Sequence, residues 1–166
     1  MAIDPSLRCT GYAVLERENR AAGVRALTWG TVKNSPGLLQ SGCLVQIHET
    51  LGDIIGQYSP TAAAFEAVIY VQNFKTAITL GGARGAALLA VAGRGLAVYE
   101  YPPRRVKQAV VGRGGAEKTQ VAFMVRALLG LSETPAADAA DAMAVGLTHF
   151  QAVDSAGIRG GFLERI

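Results

Sequence analysis

The sequence predicts an α/β fold: a mixed five-stranded sheet with an antiparallel hairpin portion, flanked by helices on both faces. Three observations predict it. Two β-branched, aromatic-rich runs come early with a polar turn between them. Short apolar runs then alternate with segments of helical periodicity, and three helical segments in succession close the patterned part of the chain.

Ala2-Ile3-Asp4 is a short apolar strand halted by Asp4-Pro5, because the residue before a proline is steered away from helix. Thr10–Leu15 and Val24–Val32 read as a hairpin, with Glu18-Asn19-Arg20 and Gly23 in the turn. In 39–58 the apolar residues Leu44, Ile47, Leu51, Ile54, Ile55 and Tyr58 fall at helical spacing, and Ser59-Pro60 ends the run. Residues 61–68 form a small buried strand. Residues 76–92 form a helix rich in Gly and Ala, unfavourable in propensity unless close packing compensates. Residues 96–101 are a strand stopped by Pro102-Pro103, and helices follow at 104–111, 117–129 and 136–152. No repeat or linker divides the chain, so one domain is expected over 1–152, followed by a weakly ordered tail at 153–166.

Composition narrows the classes. Half of the 166 residues are hydrophobic, which is ample for a buried core and excludes a disordered chain. No apolar run approaches the ~18 residues of a membrane helix. The opening Met1-Ala2-Ile3-Asp4 lacks the basic and apolar regions of a signal peptide. Cys9 and Cys43 have no CxxC spacing and no His partners at zinc spacing, which favours a reducing cytoplasm and two inert thiols.

Charge is sparse, at 17% of residues, and unevenly placed. Residues 1–83 are neutral, 84–126 carry +6, and 127–166 carry −3. A basic middle and an acidic end suit a nuclease, where cations collect phosphates and carboxylates hold metal. A merely solvated basic face has the same composition.

Four carboxylates have a reason to meet. Asp4 ends the first strand. Glu66 lies in Ala64-Phe65-Glu66-Ala67-Val68, where an unpaired charge among apolar neighbours is expensive. Asp138 and Asp141, three apart after Thr134-Pro135, share one helical face near a helix start, where the dipole favours anions. Singly, each has a structural explanation: a turn former, a helix cap, a partner for a surface Arg. Jointly they match an oxygen-ligand site for hard cations. Such a set suits two divalent ions about 3.5–4 Å apart in an in-line phosphodiester displacement.

The segment from Gly112 to Thr119 imitates a P-loop, but Glu117 stands before Lys118 where glycine is needed, and its charge repels phosphates. No nucleotide cofactor is expected. A Gly-rich loop delivering Arg113 and Lys118 to a polynucleotide is the more economical reading. His48 and His149 lack catalytic partners and read as structural, and Trp29 reads as core.

These residues resemble a known family. Asp4-Pro5-Ser6-Leu7-Arg8-Cys9-Thr10-Gly11-Tyr12 resembles the DPGxxxTGY opening of RuvC, the bacterial Holliday-junction resolvase with a ribonuclease H-like fold. The similarity continues through Phe65-Glu66, 80–85, Lys107-Gln108-Ala109-Val110-Val111-Gly112, Ala116-Glu117-Lys118-Thr119-Gln120-Val121 and 137–142, nearly the whole chain. The resemblance implies a cytoplasmic, Mg2+- or Mn2+-dependent homodimer that binds a four-way DNA junction. It would nick two strands of like polarity symmetrically during recombination and repair, leaving 5′-phosphate and 3′-hydroxyl ends, and act with the RuvAB branch-migration motor. The family's catalytic acids map onto Asp4, Glu66, Asp138 and Asp141, and its lysines onto Lys107 and Lys118. DNA contacts are expected from Ile69, Tyr70, Arg84, Arg104, Arg105, Lys107, Arg113 and Lys118. The helix at 76–92 is expected to form part of the dimer contact.

The chain departs from the family in three places. Ser6 replaces a glycine, Ile69 stands where an aromatic is common, and only three residues precede Asp4. Two other functions fit the same fold. A YqgF-type nuclease acting on RNA shares the Asp-Pro opening, but the KQxVVG and AEKxQV segments speak against it. A catalytically silent junction binder would gain nothing from four acids beside phosphates.

Overall fold

Three residues organise the sheet. Strand β1 (Ala2–Asp4) pairs antiparallel with β2 (Cys9–Glu16) on one side and parallel with β4 (Ala62–Glu66) on the other. β3 (Arg25–Lys33) completes the antiparallel portion against β2, and β5 (Ala97–Tyr101) runs parallel to β4, giving the order β3-β2-β1-β4-β5. The computed structural model describes residues 1–69, 71, 73–159 and 165–166. The expected mixed five-stranded sheet with helices on both faces is present. β1 is short but firmly held, with its terminal amine donating to the Ala62 carbonyl at 2.8 Å.

Strand alternation sorts the two cores. Ile3 and Phe65 face one side, where they pack with α1 (Gln40–Tyr58) and α2 (Phe74–Ala92) around Ile47, Leu51, Ala83, Ala87 and Val91. Ala2, Ala13 and Ala64 face the other side. There they lie under α3 (Pro103–Val111), α4 (Lys118–Leu129) and α5 (Ala137–Arg159), with Val106, Val121, Val125, Met143 and Val145 in the same cluster. The small side chains of that sheet face, met by Gly146 of α5, let the helix lie close on the strands: a Cβ at Gly146 would stand 3.2 Å from the Ala2 Cβ.

The helix ends obey local chemistry. α1 stops at Ser59, whose left-handed backbone returns its N–H to the Ile55 carbonyl, with Pro60 next. α2 starts two residues earlier than expected because the Asn73 side chain caps it, accepting from the Thr76 N–H at 2.9 Å. Its Gly and Ala content is offset by close packing: Ala83, Ala87 and Ala90 are fully buried. Pro103 opens α3 at the first helical position, where its missing N–H costs nothing.

Three expectations are corrected. The chain does not loosen at 153: α5 continues to Arg159, with Asp154 held bidentately by Arg17, just past the end of β2, at 2.7 and 2.9 Å. Residues 160–164 lie outside the described residues. Trp29 is not core but 40% exposed. It shares a sheet face with its partner Ala13, yet β3 is the edge strand and lies at the margin of the helical cover. The strand expected at 61–68 ends at Glu66, which leaves Val68 and Ile69 exposed beyond it.

The α1–α2 core makes one stability prediction. Leu51 is fully buried, so Leu51→Ala should cost about 2–5 kcal/mol of folding free energy. Denaturant titration followed by circular dichroism measures it.

Candidate active site

The register of β1 on β4 builds half of the site. Ile3 stands opposite Phe65, so Asp4 and Glu66, the last residues of two neighbouring parallel strands, leave the sheet side by side. Alternation points both away from Ile3 and Phe65, toward the face covered by α5. The other half comes from helix starts. Asp138 lies in the first turn of α5 and Asp141 one turn on, while Lys118 is the first residue of α4 and Lys107 lies on α3.

Electrostatics tie the six together. Burial first, then repulsion from Glu66, Asp141 and Asp138, raises the Asp4 carboxyl to about 7, against the opposing pull of Lys118. Glu66 is raised by burial and by Asp141, and Lys118 and Lys107 oppose the rise. Lys118 Nζ donates to Asp141 Oδ2 at 2.6 Å, and this bond holds the ammonium above its ordinary range. All four acids therefore share one neighbourhood with both lysines. Among the described residues no three such side chains already stand as ligands around a single point, and Asp141 is turned to Lys118. The donor set still fits a hard divalent cation, with four oxygen donors from rigid elements and mutual repulsion that a cation would relieve.

The surroundings open onto a cleft of about 290 Å³ lined by Asp4, Glu66, Ile69, Leu80 and Pro103. The turn leaving Asp4 is fixed despite Ser6. The buried Thr10 hydroxyl donates to the Ser6 carbonyl at 2.6 Å and accepts the Ser6 N–H at 3.2 Å, and Asn34 Nδ2 donates to the Leu7 carbonyl at 2.6 Å.

The expected DNA contacts divide. Ile69 is 67% exposed beside the cleft, and Arg104 and Arg105 are exposed on α3, with Arg105 over the Tyr101 ring at 5.2 Å. Arg113 is exposed but tied to α4: Gln120 Oε1 accepts from Arg113 Nη2 and from the Glu117 N–H, each at 3.0 Å. Lys118 belongs to the helix, not to the Gly-rich loop. Arg84 is ion-paired with Glu100 of β5 and mostly covered. Tyr70 lies outside the described residues. His149 is structural, as expected: Tyr101 Oη lies 2.8 Å from its Nδ1, and burial lowers it to about 4.

Two residues beside the acids were not singled out from sequence. The Cys9 thiol lies against Asp138, and burial together with that carboxyl raises it above the usual thiol range. Gly11, the cross-strand partner of Asp4, touches the backbone of Asp138. The sequence signals for Gly11 are its place in Thr10-Gly11-Tyr12, part of the segment that resembles the family opening, and its position inside an otherwise regular strand, a mark of close backbone approach.

Comparison with known proteins agrees with this fold. The family model for crossover junction endodeoxyribonuclease RuvC matches residues 1–149. A RuvC of Akkermansia muciniphila is 54% identical over 99% of this chain and 96% of its own length. One from Marinobacter nauticus is 46% identical over 90% of this chain and 83% of its own. The structure of Thermus thermophilus RuvC in complex with a Holliday junction substrate superposes with a TM-score of 0.84 at 33% identity, covering 99% of this chain and 98% of that one.

The raised Asp4 carboxyl makes a pH prediction for the metal-free protein. The folded state holds a proton that the unfolded state has released between about pH 4 and 7, so stability falls as pH rises through that window. Asp4→Asn removes the penalty. In chelator, its melting temperature should exceed that of the wild type at pH 8, by a gain on the order of 2–4 kcal/mol that vanishes toward pH 4.

Proposed function

The chain belongs to the RuvC family, and from that membership we propose that it is a crossover junction endodeoxyribonuclease that resolves four-way DNA junctions by symmetric nicking. The observation that carries the reading is the convergence of Asp4, Glu66, Asp138 and Asp141 with Lys107 and Lys118 at one end of the sheet. A folded domain gains nothing from that much unneutralised acid unless a cation and a phosphate complete it.

In this reading the four acids hold Mg2+ or Mn2+, two ions per site. Divalent cations so held supply Lewis-acid polarisation of the phosphate and a water of lowered pKa. The chain's own groups do the rest. Lys118, on a separate helix from the acids it faces, releases Asp141 and turns to the scissile phosphate, while Lys107 approaches the same phosphate from α3. Arg104, Arg105 and Arg113 hold the backbone of the arms, and exposed Ile69 is placed to wedge between unstacked bases. The products carry 5′-phosphate and 3′-hydroxyl ends.

A two-fold substrate suits an isologous pair of sites. The apolar groove between α1 and α2, lined by Leu44, Val45, Gly82, Ala86 and Leu89, is the contact we assign to a second copy, with Val45 and Leu89 more than half exposed. The RuvAB motor is the proposed source of positioned junctions. The whole nuclease lies in one domain, 1–159, since α5 carries both Asp138 and the Asp154 anchor.

A synthetic mobile junction with strand-resolved products tests the function. Wild type with Mg2+ or Mn2+ should give paired nicks in strands of like polarity. Asp4→Asn, Glu66→Gln or Asp141→Asn should lower cutting at least about 100-fold while junction binding persists. Preferential cutting of structured RNA, or metal-independent binding without nicks, would overturn the assignment. Sedimentation of Leu89→Glu tests the groove: the variant should be monomeric and should lose the pairing of the nicks.

A further inference from the structure

Gly11 sits in the middle of β2, paired with Asp4 on one side and Thr31 on the other. Glycine weakens a strand interior, and nothing in the backbone demands it here. Among the described residues, the glycines with positive φ are Gly95, Gly112 and Gly130. The reason is space. A Cβ at Gly11 would lie 1.9 Å from the Asp138 carbonyl oxygen, 2.6 Å from its carbon and 3.3 Å from the Ala139 nitrogen. All three are backbone atoms of the first turn of α5, and none can swing aside as a side chain can. The contrast lies about two turns further along α5. A Cβ at Gly146 would meet Leu15 Cδ1 at 2.6 Å, the movable end of a side chain, and the Ala2 Cβ only at 3.2 Å, with no backbone atom as near as at Gly11.

We infer that Gly11 is a positioning residue: the absent side chain sets how near the first turn of α5 lies to β2, and so fixes Asp138 and Asp141 relative to Asp4. Any β-carbon at position 11 must push the two backbones apart by about 1 Å or more before the contact is tolerable. β2 cannot yield, because it is hydrogen-bonded on both edges, so the helix start moves and carries two of the four acids with it. Metal sites tolerate displacements of only about 0.2 Å in ligand distance. The same glycine therefore serves a strand that bears one acid and a helix that bears two.

The inference rests on the four acids being a cation site, and the test separates the two. Mn2+ is titrated into DNA-free protein and the free ion read by electron paramagnetic resonance. Wild type should bind, and Gly11→Ala should bind at least about 10-fold more weakly. The variant's junction affinity in chelator should be unchanged, and its kcat at saturating junction should fall with little change in KM. Gly146→Ala is the control on the same helix: it should lose stability and keep the wild-type Mn2+ affinity. If Gly11→Ala fails to fold, Ala136→Gly with Ala137→Gly frees the same turn without adding bulk and should weaken Mn2+ binding in the same way. Wild-type Mn2+ affinity in the folded variant, or equal losses in Gly11→Ala and Gly146→Ala, overturns the positioning role. Absence of Mn2+ binding by wild type overturns the cation site itself, and the inference with it.

Discussion

Carboxylates gathered at one end of a sheet repel one another, and the rest of the structure answers that repulsion. Asp4 registers it together with burial: burial first, then three acidic neighbours, raise its carboxyl to about 7. Strand register forces Asp4 and Glu66 together whatever their charge, because shifting β1 against β4 would expose Ile3 and Phe65. The hydrophobic core on the far face of the sheet thus holds two acids in a place that electrostatics alone would refuse.

The helical acids are held by a different means. α5 meets the sheet face of Ala2, Ala13 and Ala64 closely at two glycines, Gly11 of β2 under its first turn and its own Gly146 against Ala2. Its far end is anchored by Arg17 on Asp154. The first turn, with Gly11 beneath it, cannot drift from Asp4 without unpacking that whole line. Small residues in this protein are therefore as informative about the site as the charged ones.

The parts legible in the sequence were those set by local pattern. Period-two and helical spacing, with Pro and Gly as punctuation, place every strand and helix to within a few residues except at the far end of α5, and the family motifs indicate which acids should meet. What stayed hidden depends on neighbours distant in sequence. Arg84 reads as a free cation until α2 is laid beside β5 and Glu100 takes it. Trp29 reads as core until β3 proves to be an edge, and α5 reads as ending near 152 until Arg17 is found beside Asp154. Cys9 carries no sequence signal for its contact with Asp138, and Gly11, though part of the family opening, does not show in sequence which backbone it makes room for.

Lys118 shows how tightly cations and acids are bound into one unit. It is the first residue of α4, where the helix dipole disfavours positive charge. Glu117 beside it and Asp141 across from it reverse the local field, and the 2.6 Å bond to Asp141 raises the lysine above its ordinary range. Remove the acids and the ammonium sits at the wrong end of a helix; remove the ammonium and the acids lose their internal counter-charge. Neither arrangement suits a chain selected only to fold. The two unfavourable placements become sensible together when both charges have a further partner, cations for the carboxylates and a phosphate for the lysine. The strain of holding them is then the readiness of the site to accept both.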